Sequence, residues 1–433
     1  MSARISATRR SGPTSSRRSA RRPPTRTWTT PTPTRTTLTA TPTTRTPRGL
    51  ERCVDPVGAR EFLEDYWERR PLAIERHEEG RFDDLLSEAD VEQIVCSGGL
   101  RYPGFRLVKA GEQLRARDYT VDIPWRPTPF TGTADVEKVL AEWERGATVV
   151  LQGLHLTRPA VGEFCRSLEA ALGHPAQANA YYTPRNAQGL PVHHDTHDVF
   201  VLQVAGEKRW RVYDPAFELP LKNQRYSADL GAPGETVEDR VLGPGDTLYL
   251  PRGWLHEAVT SQTDSLHLTI GVNVVTWLDA FKAALEELGD DVRFRRSWQA
   301  GDGVDELVEA LRGRLGRDDV ERRARDRLVR TRRPLREGQM RQLRGLEELG
   351  LDTELERRSS VIADLVAGDG SVSLVFEGRE LTFPGHVRRE LEAVFGAEQP
   401  FTPAELPGAL DDPSRLVLVR RLVREGFLTI RDA

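Results

Sequence analysis

The chain has 433 residues, of which 38% are hydrophobic and 30% are charged, and its formal net charge is −4. This length allows two to four domains of about 100–200 residues each. The composition is that of a globular protein and excludes a fibrous one. No stretch approaches the roughly 18 consecutive apolar residues that a membrane helix needs, so we expect no membrane partner.

The charge is unevenly distributed along the chain. Residues 1–50 contain eleven Arg and no Lys, Asp or Glu, so this segment carries +11 and the rest of the chain carries −15. Residues 1–49 are mostly Arg, Thr, Pro, Ser and Ala, which predicts a disordered tail. They lack the apolar core of a signal peptide. A transit peptide and a nucleic-acid-binding arm are the alternatives for this tail. The acidic remainder suits a basic protein partner better than naked nucleic acid.

The cysteines indicate the compartment. There are three of them, Cys53, Cys96 and Cys165, without a C-x-x-C pair. An odd number without such spacing argues against a disulfide framework and fits a reducing compartment. We therefore predict a cytoplasmic protein.

The pattern of elements changes twice along the chain. Up to Gly173 helices alternate with strands, with helices predicted at DVEKVLAEWERG (135–146) and PAVGEFCRSLEAALG, and a strand at ATVVLQGL (147–154). From Ala176 to about Val275 short β-rich runs alternate with Gly, Pro and Asp turns, which predicts a sandwich or barrel. After Trp277 the chain becomes helical. From about residue 370 a predicted hairpin (SVSLVF, RELTF) and two helices give a winged-helix-like outline.

Two motifs in the β-rich region carry the chemistry. In Val192-His193-His194-Asp195, alternation along a strand would place His193 and Asp195 on one face and His194 on the other. The second motif, GDTLYLPRGWLH, is G-x5-P-x-G-x2-H, the second signature of the cupin barrel, and it ends at His256. Two imidazoles and one carboxylate with open positions describe the facial triad of non-haem Fe(II) oxygenases, in which cosubstrate and O2 bind the same iron. His197 stands two residues after Asp195 and would share its strand face, so it is the alternative candidate for that metal ligand. The alternative is that these histidines only satisfy hydrogen bonds in the core.

The region as a whole resembles a known family. The segments QANAYYTPRNAQGLPVHHDTHDVFVLQVAGEKRWRVYDP, GDTLYLPRGWLHEA and SLHLTIGVN, with FLEDYWERRPLAIER upstream, are similar to the JmjC-type (cupin-4) ribosomal oxygenases. These are Fe(II)- and 2-oxoglutarate-dependent protein hydroxylases. The resemblance covers roughly residues 58–277 well. It implies an α+β protein whose double-stranded β-helix (cupin/JmjC barrel) occupies 50–277, followed by a helical dimerisation domain at 278–335 and a winged-helix-like domain at 336–433.

The resemblance also implies roles for individual residues. His193, Asp195 and His256 would be the iron ligands, and Lys208 would hold the distal carboxylate of 2-oxoglutarate. The physical reason is that a dicarboxylate entering a low-dielectric barrel needs a fixed cation at its far end. Asn179 matches a polar residue of the family's cosubstrate pocket.

Four more residues are candidates with open alternatives. Tyr181 either bonds 2-oxoglutarate or substrate, or is a core aromatic. His267 and Thr269 alternate along SLHLTI and either touch the cosubstrate or are polar groups of the core. Trp254 either walls the pocket or packs. His194 and His197 are unusual neighbours of the triad.

The predicted function is the hydroxylation of a protein side chain, with a ribosomal protein as the expected substrate and a homodimer as the expected assembly. The alternatives are the same chemistry on a small molecule and a non-catalytic metal-binding barrel.

Two charged segments follow the β-rich region. Residues 312–336 carry eleven Arg and four acids. This excess of Arg indicates contact with ribosomal RNA or with an acidic partner surface, and the alternative is a solvated helix with internal ion pairs. Residues 384–433 carry a net charge of −1, which disfavours a nucleic-acid role for the last module.

Overall fold

The computed structural model describes residues 36–38, 48–97, 99–187, 190–227, 229, 233–297 and 303–431. The strands are β1 (Thr36–Leu38), β2 (Leu72–Ile74), β3 (Phe105–Lys109), β4 (Glu112–Gln113), β5 (Thr120–Ile123), β6 (Phe130–Ala134), β7 (Thr148–Leu151), β8 (Ala176–Thr183), β9 (Asp198–Pro215), β10 (Thr236–Leu242), β11 (Thr247–Leu250), β12 (Trp254–Val272), β13 (Leu355–Arg357), β14 (Ala363–Gly368), β15 (Ser371–Phe376), β16 (Arg379–Pro384) and β17 (Leu428–Ile430).

The helices are α1 (Arg48–Val54), α2 (Ala59–Glu61), α3 (Glu88–Cys96), α4 (Val136–Glu144), α5 (Leu154–Thr157), α6 (Pro159–Leu172), α7 (Trp277–Glu286), α8 (Val304–Arg314), α9 (Arg317–Thr331), α10 (Gln339–Gly345), α11 (Arg388–Gly396) and α12 (Asp412–Arg424). A π-helical turn, Phe62–Tyr66, follows α2. None of the helices in these described ranges combines the length and the apolar character that crossing a membrane requires.

A nine-stranded antiparallel sheet positions the candidate site. Its strand order is β2-β11-β9-β12-β8-β7-β3-β4, and β10 pairs with β9. The two long strands, β9 and β12, pair with each other along most of their length, with register shifts where they bend. Bulges of this kind increase the local twist and let a sheet curve. The β-rich region predicted between Ala176 and about Val275 is confirmed as part of this sheet.

Alternation along β9 divides the buried side chains into two cores. Val199 and Val201 belong to a small cluster that surrounds the candidate site. Phe200 and Leu202, pointing the other way, belong to the large core that also contains residues of α1 and α6. Because β9 is buried on both faces here, residues 199–202 form a continuous apolar run, VFVL, rather than an alternating one.

The helix predicted at PAVGEFCRSLEAALG is confirmed as α6. Pro159 occupies its first turn, and Gly173 ends it in the left-handed conformation with φ 74°. Val161, Phe164, Cys165 and Leu168 recur at helical spacing and are all buried. The apolar face of α6 therefore covers the outside of the sheet.

The chain after the barrel has its own core. Helices α7 to α9 are followed by a sheet of order β1-β14-β15-β16, by the strand pair β13–β17 and by helices α10 to α12. A second hydrophobic cluster joins these last elements, with Leu365, Leu374, Leu391 and Val419 among its buried residues. The hairpin predicted from SVSLVF and RELTF is confirmed as β15 and β16. The winged-helix likeness stays a prediction.

The structure differs from the expectation of a disordered tail over residues 1–49 at two places. Thr36–Leu38 forms β1 and pairs with β14, and α1 already begins at Arg48. The physical reason is that an edge strand offers unpaired N–H and C=O groups to an extended segment. The other residues before Arg48 lie outside the described part of the chain.

The Arg-rich stretch 312–336 makes ion pairs with other elements. Arginines 323, 325, 332 and 336 contact Glu287, Asp364, Glu169 and Glu377 respectively, while Arg330 pairs with Asp326 inside α9 and with Glu380. Ion pairs within the helix, which ERRARDR predicts, therefore account for only some of the contacts that these arginines make. Most of these described arginines attach α9 and the following segment to their neighbours.

Candidate metal centre

Two chain segments bring the predicted triad together. His193 and Asp195 lie in the connection between β8 and β9, and His256 is the third residue of β12. The prediction that His193 and Asp195 alternate within a strand was wrong in detail, because only His193 forms a β-bridge, with His256. The backbone N–H of each of these histidines donates to the carbonyl of the other, at 3.1 and 2.8 Å. Gly253 lies in the loop before β12, and its N–H donates to the carbonyl of Asp195 at 3.0 Å. This bond attaches the segment that carries Asp195 to the loop that leads into His256.

The three side chains converge. One candidate ligand atom from each of His193, Asp195 and His256 lies within 4.8 Å of the others. The Nε2 of His256 is 3.8 Å from Oδ2 of Asp195. This is the one group of His, Cys, Asp and Glu side chains within the described ranges that meets the spacing of a metal site.

Hydrogen bonds orient both imidazoles for metal binding. The Nδ1 of His193 lies 2.8 Å from the carbonyl of Pro191, and the Nδ1 of His256 lies 3.0 Å from the carbonyl of Trp254. A carbonyl only accepts, so each Nδ1 carries the proton and each Nε2 keeps its lone pair. Such carbonyl partners fix the tautomer of metal-binding histidines. The rings are therefore set to bind through Nε2.

The electrostatics favour the protonation states that a metal requires. Burial, with the neighbouring His193, lowers the pKa of His256 to about 4. Burial alone would raise the pKa of Asp195, but the imidazoles of His197, His256 and His193 outweigh it and hold that pKa below its usual value. At neutral pH His256 is therefore a neutral imidazole and Asp195 is a carboxylate. The donor set of two nitrogens and one oxygen with open positions fits a divalent ion such as Fe(II).

The triad opens into a cavity inside the barrel. Its apolar wall consists of Val108, Val150, Leu190, Val199, Val201, Leu250 and Ala258, and its polar residues besides the triad are Thr148, Tyr181, Lys208, Trp210, His267 and Thr269. A few polar groups placed in an apolar cleft are typical of a site for a small ligand. Lys208, Tyr181, His267 and Thr269, which the sequence indicated, all line this cavity.

Lys208 is a buried residue of the same cavity lining as the triad. Its side chain is only 2% exposed, and Nζ donates to Oγ1 of Thr183 at 3.1 Å. Thr183 in turn contacts Thr148 at 3.0 Å. No carboxylate pairs with Lys208 among the residues that the structure describes, and burial lowers its pKa to about 7. A buried ammonium with hydroxyl partners alone is costly, and a ligand carboxylate would offset that cost. The residues therefore fit 2-oxoglutarate.

Aromatic and imidazole side chains wall the cavity between Lys208 and the triad. Tyr181 stacks on His267 with ring centres 5.0 Å apart, and Trp210 meets His267 edge-on at 5.5 Å. Burial, together with the charge of Lys208, holds the pKa of His267 well below its ordinary value. Among the residues that the structure describes, the buried Nδ1 of His267 and Nε1 of Trp210 find no hydrogen-bond partner. Both side chains belong to the cavity lining.

The remaining predicted residues lie away from the cavity lining. Asn179 is the cross-strand neighbour of Thr269, but its Oδ1 accepts a hydrogen bond from Gly153 N–H at 3.0 Å. Trp254 packs against the small core cluster. The Nδ1 of His197 is 3.9 Å from Oδ1 of Asp195, too far for a hydrogen bond, and the ring lies against Gly271. The alternative that His197 replaces Asp195 in the triad loses support, because the convergent group contains Asp195.

His194 points away from the triad, as its parity predicts. It is buried, its Nε2 lies 3.2 Å from the carbonyl of Gln224, and its ring packs edge-on against Tyr226. His194 therefore anchors the loop that follows β9 to the ligand segment.

Sequence reasoning missed two polar residues of the cavity lining, Trp210 and Thr148, and also Thr183, the hydrogen-bond partner of Lys208. Trp210 stands two positions after Lys208 and shares its strand face, and Thr183 shares the parity of Tyr181, so both signals were present. Thr148 carried no such signal, because its place depends on the pairing of β7 with β8.

Comparison with known proteins shows what this region is similar to. Residues 158–280 match the model of the JmjC domain. Human ribosomal oxygenase 1 is 32% identical over 266 residues, which are 58% of this chain and 39% of that protein. The bifunctional lysine-specific demethylase and histidyl-hydroxylase NO66 of Drosophila persimilis is 32% identical over 224 residues, 52% of this chain and 31% of that protein. The chain thus spans less than half the length of these relatives.

Solved structures agree on the fold. YcfD, a ribosomal oxygenase from Escherichia coli solved in complex with cobalt and 2-oxoglutarate, aligns with a TM-score of 0.53 and 17% identity, covering 86% of this chain and 98% of that chain. A complex of YcfD with cobalt and succinic acid gives the same TM-score at 18% identity. At this identity the likeness establishes the JmjC/cupin fold. Residues 158–280 are thus similar to the JmjC domain, and the curated proteins that the chain resembles are named as ribosomal oxygenases and NO66 proteins.

Proposed function

We propose that this protein is an Fe(II)- and 2-oxoglutarate-dependent oxygenase that hydroxylates a side chain of a ribosomal protein. The observation that carries the proposal is the placement of two kinds of group in one cavity. The convergent triad His193, Asp195 and His256 lies at one position, and the buried cation Lys208 lies at another, with apolar walls around both. A ligand that chelates the metal at one end and has a second carboxylate at the other end would bind both the triad-held metal and Lys208.

The residues divide the work as follows. His193, Asp195 and His256 hold the metal, and Lys208 with Thr183 binds the distal carboxylate of 2-oxoglutarate. The chemistry that the metal and 2-oxoglutarate supply when bound is the activation of O2, with succinate and CO2 formed alongside the hydroxylated product. The protein orients the ligands and excludes water from the reacting centre. Tyr181 and Thr269 line the cavity and are the next candidates for contact with the cosubstrate.

The substrate class follows from two independent supports. The curated relatives are named as ribosomal oxygenases and as a histidyl-hydroxylase, which makes a ribosomal protein the first candidate. The chain after residue 50 carries −15, and a negatively charged enzyme attracts basic proteins and repels naked nucleic acid. Ribosomal proteins are basic as a class, so charge and relatives favour the same partner.

We further propose a homodimer that forms through the helical region 278–335 and the adjacent residue Trp277. Trp277, Phe281 and Leu285 recur at helical spacing along α7 and are 66%, 40% and 44% exposed. Exposed apolar stripes of this kind indicate an interface.

We assign 50–277 to the catalytic domain and 336–433 to a winged-helix-like domain. Because Cys53, Cys96 and Cys165 are unpaired, we place the activity in the reducing cytoplasm.

The direct test of the chemistry measures succinate formed from 2-oxoglutarate. Purified protein with Fe(II) and O2 should produce succinate, and the production should stop under argon or after addition of a chelator. Asp195→Ala should abolish it, while Asp239→Ala, which removes a surface carboxylate on β10, should leave it unchanged. Equal turnover by the Asp195→Ala protein would contradict the assignment.

A further inference from the structure

A buried polar network lies close in sequence to the metal ligands, and none of its residues belongs to the cavity lining. Asp198 opens β9 three residues after Asp195, and its side chain is fully buried. Arg252, which is 6% exposed, donates from Nη1 to Oδ2 of Asp198 at 3.0 Å. The hydroxyl of Tyr249 donates to Oδ1 of the same carboxylate at 2.8 Å. Asp198 is thus held from two sides.

A third segment of the chain closes the network. The backbone N–H of Glu68 donates to Oη of Tyr249 at 2.9 Å, and the carboxylate of Glu68 pairs with Arg252. Glu68 has φ 58°, a left-handed conformation that L-residues adopt only where contacts hold them. Trp67 stacks on Tyr249 with ring centres 5.8 Å apart. The segment before β2 is therefore attached to Tyr249 and Arg252.

The network connects the two chain segments that contain the metal ligands. Asp198 follows the segment that contains His193 and Asp195, and Arg252 belongs to the loop that leads into His256. The same loop donates a backbone hydrogen bond from Gly253 to Asp195. The Arg252–Asp198 ion pair thus ties the start of β9 to the loop before β12, and these are the two segments whose separation sets the distance between the ligands.

We propose that Asp198, Arg252 and Tyr249 form a positioning network that sets the geometry of the metal ligands and couples it to the segment around Glu68. None of these three residues is itself part of the convergent ligand group. Partners that orient metal ligands typically contribute 10- to 100-fold to metal affinity. The inference rests on the proposed metal centre, and its predicted effect is on metal binding rather than on fold alone.

The test measures binding of Co(II) to the full chain by titration and by the visible d–d spectrum, which reports ligand geometry. Tyr249→Phe removes one oxygen atom and keeps the ring packed, so it is the variant that leaves the fold least disturbed. Arg252→Met and Asp198→Asn remove the charges, and Arg252→Lys restores one charge. We expect affinity to fall at least tenfold in Arg252→Met, with an altered spectrum, and to recover partly in Arg252→Lys. Tyr249→Phe should show a smaller change of the same kind.

The control is a second Arg–Asp pair on the same strand. Arg209 on β9 makes a bidentate pair with Asp239 on β10, with both Nε and Nη2 at 2.6 Å from the carboxylate, but this pair is exposed. Arg209→Met should leave the affinity and the spectrum unchanged. Co(II) binding by folded Tyr249→Phe and Arg252→Met proteins with the parent affinity and spectrum would overturn the network. Absence of Co(II) binding by the parent protein would instead overturn the metal centre itself.

Discussion

The main chains of His193 and His256 exchange two hydrogen bonds, 3.1 and 2.8 Å long, and this pairing joins the two halves of the candidate metal site. The residues stand 63 positions apart in the sequence. The backbone bridge between the ligand segment and β12 brings the two imidazole side chains close together, with ring centres 4.4 Å apart.

Lys208 should govern affinity for the cosubstrate without affecting the metal. Replacing it with Ala removes the charge that we propose binds the distal carboxylate, and a charge-assisted hydrogen bond is worth about 1.5–3 kcal/mol. We expect the Kd for 2-oxoglutarate to rise about 10- to 100-fold. Calorimetric titration of the metal-loaded protein checks this, with Arg209→Ala as the surface control. Unchanged cosubstrate affinity and succinate formation in the Lys208→Ala protein would contradict the assignment.

The same residue predicts a pH dependence of cosubstrate binding. Burial lowers the pKa of Lys208 to about 7 in the ligand-free protein. A bound carboxylate stabilises the ammonium form and raises this pKa, so binding takes up a proton. The affinity should therefore be greatest below about pH 7 and should fall as the pH rises above it. Calorimetry in two buffers of different ionisation enthalpy measures the proton uptake. Lys208→Met should show none, and a Kd independent of pH between about 6 and 9 in the parent protein would be contrary evidence.

The Asp246 carboxylate should matter for stability rather than for chemistry. It is fully buried and accepts hydrogen bonds from the backbone N–H groups of Arg76, His77 and Gly243 at 2.6, 2.9 and 2.7 Å. Asp246→Ala would leave these donors unpaired and should lower the free energy of unfolding by about 2–4 kcal/mol. Urea denaturation measures this, and Asp239→Ala on the surface should cost less than about 1 kcal/mol. Equal losses in the two variants would refute the proposed role.

The apolar face of α7 predicts the assembly state. Trp277→Lys combined with Phe281→Lys places two charges on the exposed stripe, and we expect a monomer in light scattering after size-exclusion chromatography. Met340→Lys changes an apolar side chain that is 83% exposed on α10 and should leave the dimer intact. A monomeric parent protein, or a dimer that survives both charges, would argue against this interface.

The sequence was most informative where the spacing itself carries the chemistry. H-x-D and G-x5-P-x-G-x2-H indicated His193, Asp195 and His256, and alternation placed His194 outside the site. The loop conformation around Asp195 was beyond such reasoning, because the backbone there is set by hydrogen bonds to Gly253 and His256 that only the folded barrel provides. Asn179 shares the parity of Tyr181, yet its carboxamide is engaged with Gly153, a contact that strand periodicity does not encode.

Partners that are distant in sequence were the least predictable. Thr148 contacts Thr183 only because β7 pairs with β8 in a particular register. Likewise, the charge count of residues 312–336 gave no sign that Arg332 pairs with Glu169 of α6. A residue's charge is encoded locally, whereas its partner depends on the tertiary arrangement.

The measurement that tests the central claim most directly is intact-protein mass spectrometry of ribosomal proteins after incubation of ribosomes with the enzyme, Fe(II) and 2-oxoglutarate. One ribosomal protein should gain about 16 Da, the mass of one oxygen atom, and the Asp195→Ala enzyme should produce no such gain. No shift on any ribosomal protein, together with succinate formation that a small molecule stimulates, would contradict the protein-hydroxylase account.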